Sequence, residues 1–419
     1  MEINMFQVDK STLIGLQKIV RQVWNTHGLY RKKMEQCGIF PEDIHSIDDF
    51  KKLPFTTKQD LRDSYPLGLL ACSQNQVVRL HASSGTTGKP TFVPYTQRDI
   101  NDWKECMAEC LKTAGVTSDD VFQIILGYGL FTGALGFHYG AEKIGAMVIP
   151  SGGGFTDRQL LLMEDAQTTV FTSTPSYALY LAEKIVKHNL RSRLNLRLAI
   201  LGGEAWTEDM GHQIEEMLGI TVINSYGLSE IMGPGVAMEC NAKNGMHFNH
   251  NHFFMETIDA ESAQPLAGGE FGELVITTIN KEAFPLIRYR TRDLTSLITE
   301  PCSCGRQGKR IARVAGRNDD MLIIRGVNVF PSQVEAALAS VKGLSLHYHL
   351  EVRHHKDMPE LTVVCESAKL LSESGREQLK AKTSHHLKEK LGIRINVQIA
   401  DPETLVRNEG KACRVMHVA

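Results

Sequence analysis

The sequence contains no uninterrupted apolar stretch approaching the roughly 18 residues that a membrane-spanning helix needs. Its opening, MEINMFQVDKSTLIGLQKIV, lacks the basic-then-apolar order of a secretory leader. Charge of one sign is not in excess. Lys and Arg number 46 against 48 Asp and Glu, so no general affinity for nucleic acid or for an anionic membrane is expected. Internal repeats and low-complexity segments are missing too. These absences lead us to expect a cytoplasmic protein. Nine cysteines in a chain of this length fit reduced thiols better than the disulfide framework of a short secreted domain.

What is present is ordinary for a globular protein: 42% hydrophobic and 22% charged residues. At 419 residues the chain exceeds what one hydrophobic core usually organises, so two or three domains are expected. Residues 1–80 place apolar positions at helical spacing, and Thr57 is the expected cap of a short helix. From about 120 to 225 the apolar runs VFQIIL, MVIP, TVFTST, LRLAILGG and ITVINSYG alternate with helical stretches. That alternation argues an α/β fold with a parallel sheet. ELVITT and LTSLIT read as strands of a β-rich subdomain. After residue 316 a strand, a Pro-initiated helix, two strands, a charged helix and a further strand, RINVQIA, suggest a small α+β unit of about 100 residues.

The most informative stretch is HASSGTTGKPTFVPY, His81–Tyr95. Glycine lets successive backbone N–H groups converge, Ser and Thr hydroxyls add donors, and Lys89 adds positive charge. Such a loop suits a polyphosphate. Pro90 after the lysine and the short glycine spacing exclude the G-x-x-x-x-G-K-[ST] phosphate loop. A lone Gly/Ser/Thr-rich loop is as often a flexible surface turn, but SSGTTGKP is more specific than that.

SSGTTGKPT resembles the phosphate loop of the adenylate-forming superfamily. Further blocks follow in order: GYGLFTGALGFHYGAEKIGAMVIP, LGGEAWTEDM, SYGLSEIMGPGVA, IRYRTRDLT, GRNDDMLIIRGVNVFPSQVE and NEGKACRV. Together they resemble the phenylacetate–CoA ligase branch over roughly residues 50–415. The resemblance implies an ATP-dependent acid–CoA ligase. It would join a small aromatic carboxylic acid to coenzyme A through an acyl-adenylate, with ATP and Mg²⁺. It also implies a large N-terminal domain (1–316), a hinge (317–319) and a mobile C-terminal lid (320–419); a candidate zinc subdomain near 235–310 is read from the residues themselves. A homodimer is admitted as the assembly.

Residue by residue, the resemblance assigns Ser83, Ser84, Gly85, Thr86, Thr87, Gly88 and Lys89 to the phosphates, and Gly203 and Glu204 to the adenine edge. It sets Tyr226 against adenine, within a block that also contributes Gly227 and Ser229, and Glu230 on Mg²⁺. Asp293 is assigned to the ribose hydroxyls and Arg317 to ribose and phosphate. The chemistry agrees: an aromatic face suits a base, a carboxylate suits a hard cation, and a carboxylate accepts two O–H donors. Lys411 would stabilise charge on the phosphoryl oxygens as pyrophosphate leaves. Asp319 falls at the hinge and Gly326 in the loop for the coenzyme A step.

In GYGLFTGALGFHYGAE the aromatics Tyr128, Phe131, Phe137, His138 and Tyr139 stand among small residues, as in a flat apolar slot. The resemblance favours Tyr128 and Phe131 for the acid, with phenylacetate as the default substrate and indoleacetate or a hydroxylated relative as alternatives. Cys302 and Cys304 share one predicted subdomain with Cys240 and His247, enough for a four-ligand structural zinc site. His250 and His252 compete for the histidine position, and free cysteines with surface histidines are the plain alternative. Three other functions stay open. One is adenylation of a deazaflavin coenzyme without a thioester, and another a non-catalytic nucleotide-binding module. The third and weakest is a metal-dependent hydrolase built on Cys240, His247, Cys302 and Cys304, disfavoured because that set is cysteine-rich and closed.

Overall fold

The computed structural model describes residues 5–26, 28–83, 90–324, 327–355, 358–407, 412 and 414–418. The sequence candidates Ser84, Gly85, Thr86, Thr87, Gly88, Lys89, Gly326 and Lys411 lie outside the described residues. Contacts divide the chain into two compact units. The first comprises 1–153, 168–172 and 223–313; the second comprises 154–167, 173–222 and 314–419. No helix among the described residues is long and apolar enough to cross a membrane.

In the first unit the apolar runs form parallel strands as expected. Val121–Ile124 lies between Met147–Ile149 and Val170–Ser173. An antiparallel series follows from 223 onward. The strand Thr221–Leu228 pairs with Gly233–Glu239, which pairs with Met246–Phe248. Next come Arg310–Ile311, Tyr289–Ile298, Phe271–Thr278 and Phe253–Ile258. A separate antiparallel hairpin, Val77–Ala82 with Phe92–Thr96, brackets the Ser/Thr/Gly-rich stretch. The sequence read this region only as a loop. The difference is one of packing: His81, Ala82, Val93 and Tyr95 are all buried in a strand pair.

Two helices pack tightly here because of glycine. Gln97–Thr113 starts at Thr96, whose hydroxyl caps the Asp99 N–H while Asp99 returns a bond to the Thr96 N–H. Gly133–Ile144 lies against it. A Cβ at Gly136 would come within 2.6 Å of Pro234 Cγ and 2.8 Å of Trp103 Cζ2, and one at Gly140 within 2.6 Å of Met107 Cγ. Only a bare backbone can approach that closely. Thr57 caps the Lys58–Asp63 helix through a capping box with Asp60, as expected from the sequence.

The second unit contains the helices Thr156–Asp165, Pro175–Lys187 and Glu208–Leu218 and the strand Leu198–Gly202. It also holds a four-stranded sheet ordered Asn396–Ala400, Met358–Ser367, Leu344–His355, Val415–Val418. The two long strands are antiparallel and the outer pairings are parallel. The helices Pro331–Ala339 and Glu373–Leu391 contribute to its core, where Val334, Leu338, Leu350, Val363 and Leu387 meet. The α+β order was legible in advance. The closing strand Val415–Val418 was not, because MHV offers too short an alternation to stand out.

Candidate active site

Two backbone irregularities present the residues singled out in the first unit. Pairing between Thr221–Leu228 and Gly233–Glu239 shifts register between Tyr226 and Gly227. Pairing between Phe271–Thr278 and Tyr289–Ile298 slips where Glu273 faces Leu294 but Val275 faces Arg290. The extra residues of that bulge include Asp293, and Arg292 within it adopts φ +69°. Bulges re-aim side chains and concentrate near functional sites. Here the result is direct: the Tyr226 hydroxyl donates to Asp293 Oδ2 at 2.5 Å. The bulge is held by Glu273, which takes a bidentate ion pair from Arg290 (closest 2.6 Å) and the Arg292 N–H at 3.2 Å.

Glu230 accepts a 2.7 Å hydrogen bond from the Tyr289 hydroxyl, and Tyr289 is almost fully buried. Sequence reasoning missed Tyr289, although it stands inside the IRYRTRDLT block. A buried aromatic there reads as core unless its hydroxyl's partner is known. Arg288 beside it pairs with buried Glu256 at 2.6 Å and donates to the carbonyls of Leu53, at 2.6 Å, and Lys51. One short stretch thus sends Arg288, Tyr289 and Arg290 to three carboxylates.

The turn that follows Glu230 is gripped from beneath. Lys281 Nζ donates to the Ile231 carbonyl at 2.7 Å, Tyr95 to that of Met232 at 3.1 Å, and Trp103 Nε1 to that of Pro234 at 2.7 Å. Burial pulls the Lys281 ammonium down to about 8, with Asp99 opposing the fall. No sequence signal marked Lys281, since a lone lysine is ordinarily solvated. Ser229 Oγ lies 3.2 Å from Thr132 Oγ1, which links SYGLSE to the glycine-rich aromatic block.

In that block the structure separates core from surface. Phe137 is buried and stacks on Phe122. Tyr139 receives Arg79, whose NH2 donates to its hydroxyl at 2.8 Å, and lies under Lys104. Tyr128 and Phe131 are 37% and 51% exposed, and Leu130 between them is 50% exposed, so the three form a small apolar surface patch. Tyr128 meets His138 Nδ1 at 3.1 Å, and His138 Nε2 meets Glu142 at 3.1 Å. Of the phosphate-loop candidates Ser83 is described: its Oγ accepts from the Thr91 N–H at 3.1 Å, closing the base of the hairpin.

In the second unit Gly203 adopts φ +90°, a conformation that favours glycine. Glu204 beside it accepts from the N–H groups of Ser176 (2.7 Å) and Ala412 (2.8 Å), the latter being the residue after Lys411. Arg414 donates to Ser176 Oγ and to the Tyr348 carbonyl, and pairs with buried Glu335 at 3.4 Å. Glu335 also accepts from the Tyr348 hydroxyl and the Thr207 N–H. Arg317 and Asp319 form a bidentate pair at 2.9 and 3.1 Å.

Cys240, His247, Cys302 and Cys304 come together, with ligand atoms all within 4.8 Å of one another. The competing histidines do not join them. His250 Nε2 faces the Lys309 carbonyl at 3.2 Å, and His252 lines a small cavity with Asp99, Asp102 and Lys281.

The fold and the order of these elements agree with an adenylate-forming enzyme, and the chain belongs to the AMP-binding enzyme family. Residues 39–280 match that family and residues 326–418 match the AMP-binding enzyme C-terminal domain. More particularly, the chain is similar to the phenylacetate-coenzyme A ligase of Escherichia coli, with 45% identity covering 99% of this chain and 96% of that protein. It is 41% identical to the phenylacetate-coenzyme A ligase of Thermus thermophilus, covering 95% and 94% of the two chains. Among solved structures it is similar to 2-hydroxyisobutyryl-CoA ligase in the postadenylation state, bound to R3-HIB-AMP. The TM-score is 0.91, with 26% identity over 99% of this chain and 90% of that one.

Proposed function

We propose that this chain is an AMP-forming acid–CoA ligase that acts on phenylacetate. The observation that carries the reading is identity of 41–45%, over nearly the whole chain, to several phenylacetate-coenzyme A ligases. The family chemistry runs in two steps. A carboxylate oxygen of the acid attacks the α-phosphorus of ATP, the bond to the β-phosphate bridging oxygen breaks, and pyrophosphate leaves. The coenzyme A sulfur then attacks the acyl carbon, loses its proton, and AMP departs from the thioester.

Within that reading, Tyr226 supplies the face for adenine. Asp293, braced by the Tyr226 hydroxyl, accepts from the ribose. Glu230, braced by Tyr289, holds the magnesium ion, which neutralises the phosphate oxygens when bound. Lys411 stabilises the charge that builds on the α-phosphoryl group. Ser83 to Lys89 cradle the leaving pyrophosphate. Tyr128 and Phe131, exposed and within four residues of Thr132 in sequence, supply the aromatic wall for the acid. Motion about Asp319 brings Gly326 forward for the thioester step. Any zinc is confined to a structural role at the cysteine cluster.

The test is release of AMP and pyrophosphate with ATP, Mg²⁺ and a panel of acids: phenylacetate, hydroxyphenylacetates, indoleacetate, benzoate and fatty acids. Turnover with phenylacetate that requires coenzyme A, and is abolished in Lys411→Ala, is expected. Adenylation that proceeds to completion without coenzyme A would overturn the thioester assignment. Absence of AMP with every acid would overturn the pocket assignment.

A further inference from the structure

The cysteine–histidine cluster takes no part in the ligase chemistry, yet its dimensions are those of a shared metal ion. Cys240 Sγ and Cys302 Sγ stand 3.7 Å apart, far beyond the bond of about 2.05 Å in a disulfide. Cys304 Sγ and His247 Nε2 stand 3.4 Å apart. A tetrahedral zinc ion holds sulfur at about 2.3 Å and nitrogen at about 2.0–2.1 Å, which sets S···S edges of about 3.8 Å and S···N edges of about 3.5 Å. Both observed separations fall on those edges. Two of the six separations thus match the edges of a coordination shell, and all six lie within 4.8 Å.

Arg310 is a second, independent observation. It is completely buried, and its Nε and both terminal nitrogens find no hydrogen-bond partner among the described residues. Its backbone pairs with His247, and its charge acts on both Cys302 and His247. A buried guanidinium without a counter-charge is strongly disfavoured. Three protonated thiols and a neutral imidazole offer it none. Three thiolates and an imidazole around a divalent ion carry a net charge of minus one, which balances it.

We propose that Cys240, His247, Cys302 and Cys304 bind one zinc ion in a closed structural site whose net negative charge neutralises buried Arg310. Thiolate-rich ligation with one imidazole selects zinc over harder cations, and four protein ligands leave no position for a substrate. Binding releases the three thiol protons to solvent. The ion clips the end of the Gly233–Glu239 strand and the Met246–Phe248 strand to the segment joining Tyr289–Ile298 with Arg310–Ile311. That segment has no helix and little apolar surface to hold it otherwise: residues 303–309 are exposed.

The test is the metal content of the full chain, purified without a metal-affinity column. Elemental analysis is expected to give about one zinc per chain, released when a mercurial titrates the thiols. Protein produced with cobalt is expected to show the visible d–d and thiolate charge-transfer bands of a tetrahedral thiolate site. Cys302→Ser/Cys304→Ser is expected to hold less than a tenth of that zinc. Arg310→Met, which removes the balancing charge, is expected to lose zinc to a competing chelator at least tenfold more readily. Wild-type protein from zinc-supplemented cells with neither bound zinc nor a cobalt spectrum would overturn the proposal. Unchanged chelator competition in Arg310→Met would overturn the charge-balance part. None of these readouts depends on ligase turnover, so the two readings fail separately.

Discussion

Removing one oxygen atom, in Tyr289→Phe, tests whether Glu230 is held in place for the magnesium ion proposed to bind it. The Tyr289 hydroxyl donates to Glu230 Oε1 at 2.7 Å from an almost fully buried ring. A hydrogen bond to a charged group contributes about 1.5–3 kcal/mol. Glu230 is only partly buried, so water recovers part of that, and the low end applies. At about 1.4 kcal/mol per factor of ten, kcat/KM for ATP is expected to fall about tenfold. The loss should appear as a raised requirement for Mg²⁺ and ATP, with KM for the acid little changed. The assay is pyrophosphate release over a matrix of Mg²⁺ and ATP concentrations, alongside the melting temperature. A double-mutant cycle with Glu230→Gln isolates the pair: if the tyrosine acts through Glu230, it has little further effect once the carboxylate is gone. Penalties that simply multiply, or a fall in kcat/KM of less than twofold, would refute the reasoning.

Lys281 gives a pH-dependent outcome. Its ammonium is brought from 10.5 to about 8 by burial, which costs the folded state on the order of 3 kcal/mol while the group is charged. Between about pH 8 and 10.5 the unfolded chain binds the extra proton, so this penalty is relieved as pH rises. The melting temperature of Lys281→Met relative to wild type should therefore decline as pH goes from 8 to 10; a constant difference would count against the burial argument. Gly227→Ala would set a Cβ 1.9 Å from the Gly233 carbonyl oxygen and 2.9 Å from Pro234 Cα. Backbone cannot yield there cheaply, so a loss of at least the 1–3 kcal/mol of an overpacked site is expected, with weakened nucleotide binding, read by thermal melts with and without ATP. Wild-type stability in that variant would show that the register shift is pliable.

Much of the fold was legible because its signals are local. Strand and helix runs between 120 and 225 alternate plainly, and Thr57 announces its helix by its own chemistry. Tyr226, Glu230 and Asp293 were legible as blocks. What joins them was not, because it depends on a register shift and a bulge that no periodicity reveals. Tyr289, Lys281 and Glu273 were missed for one reason. Each is of a type that usually packs in a core or faces solvent, and its partner lies 17 to 59 residues away. The cysteine cluster was legible as composition, but choosing His247 over His250 and His252 required knowing where the Lys309 carbonyl points. The hairpin around the phosphate stretch escaped notice because the loop's unusual composition dominated the reading.

The grip of Lys281, Tyr95 and Trp103 on three carbonyls near Glu230 bears on how such an enzyme acquires new substrates. The same turn touches the acid side through Ser229 and Thr132, and Pro234 abuts Gly136. A substitution that enlarges the proposed acid slot from within the glycine-rich helix must shift that turn, and with it Glu230, the carboxylate proposed for magnesium. Tyr128 and Phe131 stand outside this bracing. Variation in acid preference among descendants of this chain should therefore accumulate at those two aromatics, while the helix glycines stay fixed whatever the acid.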